Sequence, residues 1–432
     1  MNRLNRPLLA SLNDSPTSGS LRPSTDTAPG ASGAAPGPLQ LPPALVYDWL
    51  GMAGKAQYRA ADLGESLHIA RSLMGGDPTE AIVAYEAMAE RLLQAAQNSL
   101  SRGHRISARD AFLRASNYAA ATLDFLDAAG QADRFLPLWT RHRDSFDQAV
   151  ALFDPPAEHI EIPYEGTTLP GYFIRPDDAR TPRPLLILNN GSDGSVLSMW
   201  TSGGAAAIER GYHILIFDGP GQGAALFRQQ LYFRPDWEKV ITPVVEYALG
   251  RPEVDPNRIA LQGISQGGYW VPRALAFEHR IAAAIADPGV VDVSSSWLEN
   301  LPEELRDFLH TQNKAAFDAA MTEYTQQVPE ARATLAFRMR PYGMTSFYDV
   351  FQAVQAYTLR GLTDRIRCPL LVTDPAREQF WPGQSRQLYD ALTCPKTLVP
   401  FTAEDGSDLH CEPQALAVRD QRIFDWLDEV LG

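Results

Sequence analysis

Cysteine is scarce: Cys368, Cys394 and Cys411 are the only three in 432 residues. Three thiols give no metal-ligand spacing and no even-numbered disulfide framework, so a disulfide-stapled scaffold is excluded and no metal is expected. Reduced thiols are the simpler expectation, with a Cys368–Cys394 bridge as the alternative. Long apolar runs are missing as well. None approaches the ~18 residues that a transmembrane helix requires, which excludes a membrane-spanning segment of that kind. Positive charge is in deficit, with 38 basic against 52 acidic side chains and a net charge of -14. No basic stripe interrupts that balance, so no nucleic-acid partner is expected. Near the start, Arg3 and Arg6 precede Leu8-Leu9-Ala10, a stretch too short for a secretory signal core. These absences together predict a cytoplasmic protein.

The rest of the composition is that of a globular chain, 45% hydrophobic and 21% charged, with length for one large core and a further helical domain. Residues 1–42 are rich in Ser, Pro, Gly, Ala and Thr and read as a disordered tail, lacking the apolar surface that would offset ordering. A helical domain is expected over 43–155. Asp77-Pro78-Thr79-Glu80 combines an N-cap acid, a first-turn proline and an acid three residues on. Ile82, Tyr85, Met88, Ala89, Leu92 and Leu93 then recur on one helical face. Gly103 closes that helix and Ser107 opens a second. No convincing second copy of the hairpin follows, so a solenoid is not expected.

From residue 156 the period becomes that of strands. His159–Tyr164 and Leu169–Ile174 flank the turn Glu165-Gly166-Thr167, a β-hairpin. Unbroken apolar runs follow at Leu185–Leu188, His213–Phe217, Ile259–Leu261, Ile281–Ala286, Leu370–Val372 and Thr397–Val399. Such runs fit strands buried on both faces of a mostly parallel, doubly wound sheet covered by helices. Residues 293–366 break the rhythm with helical, aromatic-bearing sequence, the pattern of a lid inserted at the active edge.

The sharpest motif is Gly263-Ile264-Ser265-Gln266-Gly267-Gly268, a G-x-S-x-G between a strand and a helical stretch. In that context the serine sits on a strained turn and its hydroxyl is presented at the sheet edge, as in the α/β-hydrolase fold. Pro272 removes a donor inside the helix that follows. A serine hydroxyl needs a base, and of eight histidines only His279, His310 and His410 lie downstream. His279 ends the nucleophile helix and His310 falls in the insertion. His410, in a loop after the last strand, stands where the fold's chain order of serine, acid and histidine requires it. The acid should follow the penultimate strand, where both Asp374 and Glu378 occur. Spacing to Pro382 favours Glu378, and Pro375 in place of the usual glycine keeps Asp374 as the alternative. Oxyanion donors are expected from the amide of Gln266 and from Ser192 or Asp193 in the turn Asn189–Gly194. Asp218-Gly219-Pro220-Gly221-Gln222-Gly223 lacks the lysine of a phosphate-binding loop and the dinucleotide fingerprint, and reads as a turn. Trp200, Tyr269, Trp270, Phe380 and Trp381 are candidate pocket walls, with ordinary core positions as the competing reading.

With these residues, the segment Ile162–Gly171 and the helical N-terminal module, the chain resembles one α/β-hydrolase family. It is the family of 2,6-dihydroxypseudooxynicotine hydrolase, the fungal polyketide-shortening pigment hydrolases and the fermentation-respiration switch protein. The resemblance runs from about residue 45 to the C-terminus. It implies cofactor-free cleavage of an ester, or of a carbon–carbon bond beside a ketone, in a small molecule. It also implies a helical module that covers the pocket and builds a homodimer contact. That family commonly uses aspartate as the triad acid, so Glu378 is a departure. An acyltransferase or cyclase, or a non-catalytic scaffold on the same fold, are the rival expectations.

Overall fold

The computed structural model describes residues 39–179 and 181–432. Up to residue 38, the expected tail lies outside the described residues. The core is an eight-stranded sheet: β1 Glu158–Tyr164, β2 Thr167–Ile174, β3 Arg183–Asn189, β4 His213–Phe217, β5 Val254–Ile264, β6 Ala283–Asp287, β7 Leu370–Pro375 and β8 Lys396–Phe401. Their spatial order is β1-β2-β4-β3-β5-β6-β7-β8. β2 runs antiparallel to β1 and β4, and all other pairings are parallel. This is the α/β-hydrolase architecture.

Alternation along the strands divides the core into two layers. Leu185 and Ile187 pack toward Trp237, Val240, Val244 and Trp270, whereas Leu186 and Leu188 pack toward Phe146, Ile423 and Phe424. Every residue of β4 and β6 is buried, which explains their unbroken apolar sequence. Register then brings the functional turns together. Asn189 pairs with Gly263 across β3 and β5, and Ile264 pairs with Asp287 across β5 and β6. At the far edge Pro375 pairs with Phe401 across β7 and β8, and a parallel bridge joins Arg377 to Leu409 beyond the strand ends.

Before the sheet stand the helices Pro43–Ala53, Leu63–Leu73, Pro78–Ser101, Arg105–Thr122 and Phe135–Val150. Asp77 caps the third of them, accepting the Thr79 amide at 2.7 Å. Buried alanines at 81, 89, 96, 108, 111, 115 and 119 let the two long helices approach closely. The second long helix opens at Arg105, two residues before the Ser107 start expected from sequence. After the left-handed Gly103, the His104 carbonyl already accepts the Ala108 amide, so the chain re-enters helix at once. Among the described residues no helix is long and apolar enough to cross a membrane. All three cysteines are free thiols, so the Cys368–Cys394 bridge is not formed.

A buried ion pair joins the helical module to the sheet. Arg143 meets Asp218 at 2.6 Å with almost no exposure of either side chain. Asp218 also accepts the Ala224 amide at 2.9 Å, so the turn after β4 folds around this carboxylate. Breaking such a pair leaves an uncompensated buried charge, at about 3–5 kcal/mol. Arg143→Ala is therefore expected to lower stability by about that amount in urea unfolding. A loss below about 1 kcal/mol would mean that desolvation already cancels the pair.

Between β6 and β7, residues 293–366 form the helices Ser295–Leu298, Glu303–His310, Lys314–Gln327, Pro329–Met339 and Phe347–Ala353. Tyr342 of this segment packs edge-on against Phe233 at 5.2 Å and Trp297 at 5.8 Å. Arg340 pairs with Asp127 of the helical module at 2.7 Å, so the insertion bridges both parts of the molecule.

Candidate active site

Ser265 sits at the end of β5 with φ of 57°, in the left-handed region that non-glycine residues enter only under constraint. Its amide is held by the Asp287 carbonyl at 2.6 Å. The flanking glycines make the turn feasible: a Cβ on Gly263 would lie 2.2 Å from the Gly267 carbonyl. Gly191, in the turn after β3, is equally constrained, since a Cβ there would stand 2.7 Å from that of Ser265. Behind the serine runs the helix Gly267–Leu275. Pro272 leaves the Gly268 carbonyl without its helical donor, and the Val290 amide takes that place at 3.3 Å.

His410 Nε2 lies 2.9 Å from Ser265 Oγ, and His410 Nδ1 lies 2.7 Å from Glu378 Oε2. The other Glu378 oxygen accepts the amides of Phe380 at 2.8 Å and Trp381 at 3.1 Å. Burial alone would raise this carboxyl, but His410 and the two amides outweigh it and hold Glu378 below the usual glutamate range. An anion at Nδ1 selects the tautomer in which Nε2 accepts the serine proton. The other candidate acid is elsewhere: Asp374 is a half-buried strand-end residue paired with Arg386 at 3.1 Å. His279 and His310 are both exposed and apart from Ser265.

The turn Asn189–Gly194 lies against the nucleophile, and the structure sorts its donors. The Gly191 amide goes to Asn190 Oδ1 at 2.8 Å. The amides of Ser192, Asp193 and Gln266 have no hydrogen-bond partner among the described residues, which leaves Ser192 and Asp193 both open as candidates beside Gln266. The aromatic expectations divide. Phe380, half exposed, lies 4.7 Å from the His410 ring, whereas Trp381, at 5.8 Å from that ring, is corrected to core, its indole N–H donating to the Val293 carbonyl at 3.3 Å. Tyr269 and Trp270 are corrected to core: neither has exposed surface, because the apolar face of their helix packs on the sheet. Trp270 stacks on Trp237 at 4.2 Å, and the Tyr269 hydroxyl donates to the Pro235 carbonyl at 2.9 Å. Trp200 is likewise a packing residue, lying on Phe153 at 4.6 Å between module and sheet.

Comparison with known proteins places this geometry in a family. Hydrolase LUC6 of a Fusarium species is 30% identical over 406 residues, spanning 89% of this chain and 96% of the relative. Hydrolase ORFZ of Pyricularia oryzae is 31% identical over 412 residues, spanning 89% of this chain and 96% of the relative. The chain belongs to this α/β-hydrolase family. Residues 201–338 also match the prolyl oligopeptidase family. The crystal structure of the 2,6-dihydroxy-pseudo-oxynicotine hydrolase superposes with a TM-score of 0.70 at 20% identity, covering 88% of this chain and 95% of that one.

Several residues of the hydrolase that stand close to the site were not singled out in the sequence. Gln222 Nε2 donates to the carbonyls of Asn190 at 2.9 Å and Gly191 at 2.8 Å, bracing the donor turn from the loop after β4. Gln222→Leu should keep the fold and cost about 10²-fold in kcat, the penalty for a donor displaced by about 1 Å. Steady-state kinetics with the folding checked by circular dichroism decides it, and an unchanged kcat would remove Gln222 from the site. The Tyr47 hydroxyl donates to the His410 carbonyl at 3.0 Å from the first helix.

Asp48 and Asp124 from the helical module face Asp193, beside His410. All three have open surface, yet burial first, and then their mutual repulsion, pushes Asp48 to about 6 and Asp124 well above the usual carboxylate range. Burial also raises Asp193, against the pull of His410. Open surface on strongly desolvated groups marks the wall of an interior chamber. Burial lowers Lys55 to about 8 against the pull of Asp124, and lowers Arg338 to about 10 against Tyr342 and Asp193. Nothing local in the sequence signals Asp48, Lys55, Asp124 and Arg338, because they converge from three separate segments.

Proposed function

We propose that this serine hydrolase cleaves an ester, or a ketone-adjacent carbon–carbon bond, of a small aromatic or polyketide-like molecule, with Ser265, His410 and Glu378 as its triad. The observation that carries this reading is the unbroken hydrogen-bond chain from Glu378 through His410 to Ser265, beside a chamber walled by a separate helical module. A ring-bearing ketone is supported by the structural relative, a hydrolase of 2,6-dihydroxy-pseudo-oxynicotine. Phe380, half exposed beside His410, suits a flat substrate.

Ser265 Oγ bonds to the substrate carbonyl carbon as His410 Nε2 takes its proton. Negative charge moves to the carbonyl oxygen, where the Gln266 amide and that of Ser192 or Asp193 receive it. Collapse expels an alkoxide or an enolate carbon, which leaves with the proton from His410. Water then gives a proton to His410 and attacks the acyl group, and the acid departs as Ser265 recovers its hydrogen. Glu378 stabilises the imidazolium at each stage without itself being protonated. In the same reading residues 43–155 cap the chamber, 293–366 form its lid, and the enzyme is a cytoplasmic homodimer without nucleic-acid partners.

A fluorophosphonate probe tests the reading most directly. One adduct, mapped to Ser265, together with turnover of p-nitrophenyl esters or a β-diketone, is the expected result. A folded protein that neither reacts with the probe nor turns over either substrate class sinks the proposal.

A further inference from the structure

Next to the triad lies a pair of acids that this mechanism does not use. Glu412, two residues after His410, is fully buried, and neither of its carboxyl oxygens has a partner among the described residues. Asp287, at the end of β6, is equally buried. One of its oxygens accepts the Thr373 hydroxyl at 2.8 Å and the other is unpartnered. The two carboxyl groups face each other within hydrogen-bonding reach. Three acceptor oxygens thus meet in a buried site where no described side chain is hydrogen-bonded to them, with the unpartnered Nη1 of the buried Arg419 as the nearby cationic donor. Two carboxylates in such proximity do not both ionise, and a carboxylic acid carries a donor that can bridge them directly.

What the pair connects gives it a role. The Asp287 carbonyl holds the Ser265 amide at 2.6 Å and accepts the Cys411 thiol at 3.5 Å. Cys411 and Glu412 both have left-handed backbone, with φ of 59° and 47°, and the Glu412 amide closes a turn onto the Leu409 carbonyl at 2.9 Å. Non-glycine residues hold that conformation only where the surroundings over-determine it. The pair therefore spans the two elements whose separation sets the Ser265–His410 contact.

We propose that Glu412 is a positioning residue: as a neutral carboxylic acid it donates to Asp287, and this one shared proton ties the His410 turn to the strand end that holds Ser265. Its positioning role rests on the triad assigned above; the shared proton does not. Burial first, and then the charge of Asp287, drives the Glu412 carboxyl well above its usual range, with Glu378 adding to the rise and Arg419 opposing it. Asp287, Glu378, Cys411, Arg419 and, through Asp287, Asp420 are the titratable and charged groups that face the pair. Because the folded chain keeps a proton that the unfolded chain releases near pH ~4.3, the pair's contribution is complete below that pH and declines as pH rises toward the folded value. As pH rises through the folded value the proton leaves to solvent, two like charges face Arg419, and the His410 turn loosens.

The test compares the full-length protein with Glu412→Gln and Glu412→Leu. At neutral pH, the infrared difference spectrum of wild type minus Glu412→Gln should show the carbonyl stretch of a buried protonated carboxyl that the variant has lost. The Gln variant keeps an N–H donor toward Asp287, so its kcat should stay within about threefold of wild type while the alkaline fall in kcat and in melting temperature flattens. Glu412→Leu should lose about 10²-fold in kcat with KM little changed. Should the Leu variant fail to fold, the infrared band and the Gln variant decide alone. The proposal is overturned if wild type lacks the band at neutral pH, or if Glu412→Gln keeps the wild-type pH dependence of melting. A wild type with the band but without hydrolase activity would instead refute the triad reading.

Discussion

Replacing Ser265 with alanine is expected to lower kcat on p-nitrophenyl esters by about 10⁴–10⁶-fold with KM little changed. The variant loses one hydroxyl, 2.9 Å from His410 Nε2, and with it the atom that would become the acyl-enzyme bond. The residual rate would come from water attacking a carbonyl polarised by the Gln266 amide and the amide of Ser192 or Asp193, which the substitution leaves in place. Alanine also suits the position sterically, since Gly191 already passes within van der Waals range of the serine Cβ. His410→Ala should cost a similar factor, and the double variant should be no worse than either, because nucleophile and base act as one unit. Active-site titration with a fluorophosphonate, beside initial rates and circular dichroism, checks all three variants. Retention of a tenth of wild-type activity in Ser265→Ala would move the nucleophile elsewhere.

The serine was legible because its signal is local: strand, two glycines and helix follow one another in sequence, and the backbone strain they permit is present at φ of 57°. His410 was legible by chain order, and the hairpin, the buried strands and the Asp77 cap by periodicity and turn chemistry. The wall of the chamber was not. Asp48 and Lys55 meet Asp124 only through packing of the helical module, and Arg338 approaches Asp193 from the insertion, juxtapositions for which no sequence spacing exists. The aromatics failed for a different reason. Nearness to Ser265 along the chain placed Tyr269 and Trp270 on the nucleophile helix, whose apolar face packs inward on the sheet. Glu412 was hidden because an acid next to His410 reads as an exposed loop residue until its burial is seen.

Glu378→Gln is expected to reduce kcat by about 10⁴-fold, while Asp374→Asn should leave it within about twofold. The glutamine keeps the volume of the side chain and an oxygen for the Phe380 and Trp381 amides, so the loop after β7 should hold its shape. What it removes is the anion at His410 Nδ1. An amide NH₂ directed at Nδ1 favours the tautomer with Nε2 protonated, which cannot accept the Ser265 proton, and no negative charge remains to stabilise the imidazolium. Asp374 stands outside this chain of bonds, tied to Arg386 across its strand end at 3.1 Å. That pair is largely exposed on the arginine side, so its loss should change stability by no more than about 1 kcal/mol. Measured side by side at fixed pH, the two variants separate the candidate acids without knowledge of the natural substrate. A larger loss at Asp374 than at Glu378 would transfer the role of acid. Equal, small losses would mean that the imidazole is oriented without a carboxylate, by the Tyr47 and Gln379 contacts to the His410 backbone alone.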